Sequence, residues 1–239
     1  MTTFPIVNYR QRAVLSAAII CSVVPTAAVF LRVLARRIST RALKLSDYCA
    51  IIAAALTIVL EAISIAAVAN GGLAYGHASE VVAQFGSTPV VNLLKLFIPL
   101  QILWALSLGF SKTSILLLYS HLFKAEHYVI TAARVTIAIN VAWAAGTVLA
   151  ACLICQPVSM NWETVSGGHC GNQVLSFIIS GTINLATSVA IIVLPLPALY
   201  RLRMGIYKKL VLVVIFSLGF LYVRPVALRR PRVTCLTLV

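Results

Sequence analysis

The stretch Tyr48–Asn70, YCAIIAAALTIVLEAISIAAVAN, carries a single charge, Glu61. A helix rises about 1.5 Å per residue, so a run of this length covers a bilayer core about 30 Å thick. Five further apolar runs flank it, at about 13–34, 95–123, 134–156, 173–200 and 208–223, and short polar loops join them. Charged residues make up 10% of the chain and mean hydropathy is +1.02, outside the range of soluble globular domains. Backbone amides cannot stay unpaired in lipid, and the alternation of a barrel strand is absent. The predicted fold class is therefore all-α: a polytopic membrane bundle of six hydrophobic helices forming one domain over 1–223.

The sixth run is the weakest. Its uncharged part, Leu210 to Val223, reaches only about 21 Å before Arg224 and Pro225 stop it. Loop charges set the orientation of the rest. The loop after the first run holds Arg32, Arg36, Arg37, Arg41 and Lys44, and the loop after the fifth holds Arg201, Arg203, Lys208 and Lys209. Gly71–Asn92 and Gln156–Asn172 contain no Lys or Arg. By the positive-inside rule the N-terminus is outside. The net charge of +14 then reflects topology and anionic inner-leaflet lipid at the basic loops, not nucleic acid. The tail 224–239, with Arg224, Arg229, Arg230 and Arg232, has the wrong sign for an outer segment, and we set it apart as non-native or disordered.

Ionisable groups at membrane depth are candidates for function, because a buried charge costs several kcal/mol unless paired or hydrated. Glu61 in the second helix and Lys112 in the third lie within about 6 Å of the same depth by helical rise. Two arrangements stay open: the two groups pair inside the bundle, directly or through water, or Lys112 snorkels inward and Glu61 is protonated. Asn140 and Asn184 are expected to hydrogen-bond between neighbouring helices, and Ala142, Gly146 and Ala150 line one face of helix four in a pattern suited to close packing. Cys155 and Cys170 bracket the second outer loop, in an oxidising compartment, and are expected to form a disulfide. No metal site is expected; Cys152, Cys155 and His169 only superficially match zinc spacing.

Short motifs in a fixed order cover residues 10 to 222. They are Arg32 to Arg37 leading to Ser46-Asp47-Tyr48; Gly72 through Gly76-His77; Lys112 to Phe123, which contains Tyr119 and His121; Cys155-Gln-Pro157 with Trp162 and Cys170; Asn184 and Leu194-Pro195-Leu-Pro197; and Lys208-Lys209 to Phe220. In this order the sequence resembles the fungal rhodopsin-domain family of seven-helix membrane proteins, which includes receptor-like members of the Pth type. The resemblance implies a receptor-like sensor, with an unknown small ligand and a cytoplasmic signalling partner. The sequence departs from the family pattern at Ser188, where an aspartate is usual, and at His121, where an arginine is common. The resemblance stops near Val223, before a seventh helix, so 224–239 reads as a misread exon boundary or frame change.

Nothing in the sequence supports an enzyme: there is no membrane-protease His pair, phosphate loop or nucleophile motif. No cofactor is expected. Retinal would need a Schiff-base lysine in the last helix, and Lys112 in helix three is a poor substitute. A small-solute transporter or channel remains the alternative function, as does a truncated product without independent function. A multi-pass location, in the plasma membrane before internal membranes, is the expectation.

Overall fold

A computed structural model describes residues 9–39, 42–71, 88–123, 126–162, 169–195 and 197. Among these residues the chain is almost entirely helical: α1 (Tyr9–Ile38), α2 (Leu45–Gly71), α3 (Thr88–Leu122), α4 (His127–Leu153) and α5 (Gln173–Val193). All five are long and apolar enough to cross a membrane. The protein is a multi-pass membrane helix bundle. The described residues supply five of the six expected spans; the sixth run, 208–223, and the tail, 224–239, lie outside them, as do Gly76 and His77.

The helices outrun the apolar segments that announce them. α1 continues through the arginines to Ile38, α3 starts before Lys95, and α4 starts at His127, seven residues ahead of the apolar run. Backbone pairing continues where side chains reach the interface, so hydropathy marks the hydrocarbon core and not the helix ends. α5 is the exception. It is described as Gln173–Val193, followed by a turn at Leu194–Pro195, and 196 and 198–200 lie outside the described residues. Pro195 has no amide to donate, so the backbone bond that would continue the helix is lost there although Leu194 before it is still in the helical region. At its other end Asn172 Oδ1 accepts from the Leu175 amide, a side-chain N-cap.

α3 packs against α2 and α4 and also touches α5; α1 packs on α2, and α5 on α4. One apolar cluster joins Leu116 and Phe123 of α3 to Val129 and Ala133 of α4 and to Ile191 and Leu194. A second joins Ala105 of α3 to Trp143 and Ala144 of α4, where the Trp104 and Trp143 rings meet edge to face at 5.8 Å. Large apolar side chains such as Phe30, Leu31, Ile52, Val135 and Ile139 point outward. In lipid, outward apolar groups are solvated and the interior is free to hold polar residues.

The loop between α4 and α5 is closed by the Cys155–Cys170 disulfide, with an S–S distance of 2.00 Å. These residues also pair as a two-residue antiparallel ladder, Cys155–Gln156 against His169–Cys170. Pro157 leads into a short 3₁₀ turn, Val158–Asn161, and Lys95 of α3 sits over the Trp162 ring at 5.8 Å. This is the disulfide end of the bundle. The α1–α2 and α3–α4 loops form the opposite, basic end.

Candidate functional site

The interior of the bundle carries a layer of polar side chains, and α3 organises it. Lys112 is 8% exposed and lies about 15 Å from the Leu122 end of its helix by helical rise. Its Nζ donates to Asn184 Oδ1 at 2.6 Å, to Asn184 O at 2.8 Å and to Thr187 Oγ1 at 2.8 Å, all on α5. The ammonium has three protons, and each finds an acceptor. The Trp143 ring of α4 lies 5.5 Å from Nζ and adds the attraction of its negative face. Ser188 Oγ donates to the same Asn184 carbonyl at 2.8 Å, so Ser188 is a near neighbour of the lysine.

Of the arrangements left open for Glu61 and Lys112, a direct ion pair between them is not present among the described residues. Lys112 turns toward α5, whose carbonyl, amide and hydroxyl oxygens satisfy it completely. Glu61, on α2, makes no hydrogen bond or ion pair among the described residues. Neutral oxygens win because three short bonds are available in one direction, whereas a single carboxylate across the bundle offers fewer and brings a second charge to desolvate.

Neighbouring contacts extend the layer. Asn140, fully buried on α4, donates through Nδ2 to Gly109 O at 2.9 Å and to Thr113 Oγ1 at 3.2 Å; its Oδ1 has no partner. Asn140 and Asn184 each bond across to α3, and neither reaches the other. Trp143 Nε1 donates to Ser180 O at 2.9 Å and Ser180 Oγ at 3.1 Å, and Thr57 and Ser107 hydroxyls pair at 2.7 Å between α2 and α3. Many hydroxyls also bond the carbonyl one turn back, among them Thr113 to Gly109 O and Thr147 to Trp143 O.

A second polar cluster sits at the basic end. Arg32 Nε donates to Asp47 Oδ1 at 2.8 Å, its Nη2 to Ser46 Oγ at 3.0 Å and its Nη1 to Ser114 Oγ at 3.4 Å. Arg36 Nε lies 3.4 Å from Asp47 Oδ2, the Lys44 amide donates to that oxygen at 3.0 Å, and Ser114 Oγ donates to Ser46 O at 2.7 Å. Asp47 and Ser46 are completely buried. One arginine therefore joins α1, α2 and α3 around a buried carboxylate. The sequence singled out Asp47 without its partner; the available signal was a basic and an acidic residue facing each other across the short α1–α2 loop. Ser46 and Ser114 lie within the quoted motifs, but nothing there marked them as partners of Arg32.

The remaining candidates are scattered. Tyr119 packs beside the Phe123 ring at 6.5 Å, whereas Tyr48, His121 and Pro197 are exposed. Ala142 and Gly146 face outward and nothing approaches the Gly146 Cβ position within 4 Å, whereas Ala150 is half-buried. Among the described residues no group of three His, Cys, Asp or Glu side chains is placed to hold a metal.

With this geometry in hand, the model of the fungal rhodopsin domain matches residues 31–235. The chain belongs to the fungal rhodopsin-domain family. The match runs past Val223 into the segment that the sequence set apart. Among curated relatives, the chain is 29% identical over 199 residues to the polyenoic acids biosynthesis gene cluster protein Ba17b of Metarhizium anisopliae, which covers 82% of this chain and 53% of the relative. It is 29% identical over 121 residues to an SAT4 family membrane protein of Emericella nidulans, covering 50% of this chain and 32% of the relative. It is 26% identical over 125 residues to Receptor GIN3 of Arthrobotrys oligospora, covering 52% of this chain and 30% of the relative. The chain thus spans about half the length, or less, of these relatives. No solved structure matches.

Proposed function

We propose that this fungal rhodopsin-domain chain is a receptor-like sensor and not an enzyme. In this reading a small ligand enters between the helices from the disulfide end, and α3 carries the response to the basic end. The observation behind the reading is the spacing of Lys112 and Ser114 on α3: one bonds α5 at mid-depth, the other belongs to the Arg32–Asp47 cluster joining α1 and α2. A ligand that draws Lys112 from Asn184 rotates or shifts the same turn of helix that carries Ser114. Such coupling needs the ligand to bind one arrangement better than the other. A relative named as a receptor supports the same class.

The positive-inside reading puts the basic end in the cytoplasm, where it meets anionic inner-leaflet lipid and a signalling partner, and puts the N-terminus outside. The plasma membrane is the proposed site. The competing function is a small-solute transporter or channel, in which Lys112 and Glu61 mark a path. Proteoliposomes holding the full chain and a pH-sensitive dye separate the two. The sensor reading expects no proton or potassium flux above empty vesicles under an imposed gradient; flux that Lys112→Met abolishes would replace it with the transporter.

A further inference from the structure

The last two turns of α1 border a shallow, open cavity of about 370 Å³ lined by Arg32, Ala35, Arg36, Ser39 and, from α3, Leu118. Among the described residues its charges do not cancel, since two guanidinium groups share the one carboxylate of Asp47. Nor do its hydrogen bonds close. Arg32 commits three N–H groups, one each to Asp47, Ser46 and Ser114, out of five. Arg36 reaches Asp47 only through Nε, and among the described residues its terminal nitrogens have no acceptor. The side chains of Arg32 and Arg36 are only 25% and 19% exposed, so these donors are largely withdrawn from water.

We propose that this cavity binds the phosphate of an anionic phospholipid headgroup. A phosphate supplies the missing negative charge and several acceptor oxygens, and guanidinium groups match phosphate in a two-pronged geometry. Asp47 holds both arginines at Nε, so Arg36 keeps its outer edge for the ligand while Arg32, already bonded to Ser46 and Ser114, keeps one N–H on each terminal nitrogen. The rest of the wall argues for a lipid over a free phosphate. Ala35 and Leu118 give the cavity an apolar side, and Leu31 and Leu34 of the same helix and Leu122, one turn on from Leu118, are exposed, a surface that acyl chains cover and a soluble anion does not. The binding geometry is independent of the sensor reading; only the leaflet that supplies the lipid rests on the orientation proposed above.

The test uses the full chain in neutral detergent, titrated with phosphatidic acid or phosphatidylcholine and followed by native mass spectrometry. Phosphatidic acid is expected to bind at least about tenfold more tightly, and Arg36→Gln to remove most of that difference. Ala35→Trp, which fills the cavity and keeps every charge, is expected to do the same. Arg37→Gln, on an exposed residue outside the cavity wall, is expected to stay within about twofold. Should Arg36→Gln not fold, as judged by its melting curve, the Ala35→Trp and Arg37→Gln pair decides. Wild-type affinity in Ala35→Trp, or an equal loss in Arg37→Gln, overturns the site in favour of a diffuse basic surface. Displacement of the lipid by millimolar inorganic phosphate overturns the lipid as ligand. Ion flux in proteoliposomes would sink the sensor reading and leave these binding results untouched.

Discussion

Lys112 is a buried cation served by neutral oxygens, and that decides how its neighbours respond to substitution. Removing an acceptor strands a charge, whereas removing the lysine strands only dipoles. Asn184→Ala is therefore expected to cost about 1.5–3 kcal/mol in detergent unfolding, and Lys112→Met less. Ser188→Asp should recover most of the Asn184→Ala loss, because both Lys112 Nζ and Ser188 Oγ lie 2.8 Å from the Asn184 carbonyl oxygen and an aspartate there adds a counter-charge. Failure of the double variant to melt above Asn184→Ala would mean that an acidic group at 188 does not reach Lys112. The sequence made Lys112 conspicuous by its depth and drew attention to Asn184 and Ser188 separately. It could not join them, since helical rise gives depth along an axis but not rotation about it. Glu61, at nearly the same depth as Lys112, was the more visible partner because charge draws attention that an amide and a threonine do not.

Among the elements, α3 meets α4 at Gly109, where an added Cβ would lie 3.3 Å from Ala144 Cβ. The same glycine supplies the carbonyl that Asn140 uses. Gly109→Val is expected to destabilise by about 1–3 kcal/mol through overpacking. Gly146→Ala, facing open space, should be neutral or mildly stabilising, since alanine is the better helix former. Melting temperatures of the two variants check this, and an equal loss from both would place the helix contact elsewhere. The small-residue pattern at Ala142, Gly146 and Ala150 was legible in the sequence, yet the contact uses Gly109 and Ala144, which stand out less. A spacing of four residues names a face without naming what it meets. The ends of the helices were similarly blurred, because apolarity ends at the hydrocarbon edge while hydrogen bonding continues to Ile38 and back to His127.

At the scale of the molecule, the bundle and its membrane environment were readable from composition alone, and so was the disulfide, from two cysteines that bracket one loop. Their bond closes a loop of 15 residues, for which chain-entropy arguments give about 3 kcal/mol. Replacing both with alanine is expected to lower the melting point and to abolish the difference between reduced and oxidised samples; an unchanged curve would show that the loop is held by Gln173–Asn161 and its other contacts instead.

The bond from Lys112 to Asn184 spans 72 residues of chain. At ordinary rates of synthesis, about 5–20 residues per second, the ribosome needs roughly 4–14 seconds to make the second partner after the first. For that interval α3 has emerged with an ammonium that α5 cannot yet receive. The insertion machinery must therefore hold α3 in a wet or sheltered place until α5 arrives, which makes the third helix a late settler in the bilayer although it is the hub of the finished bundle.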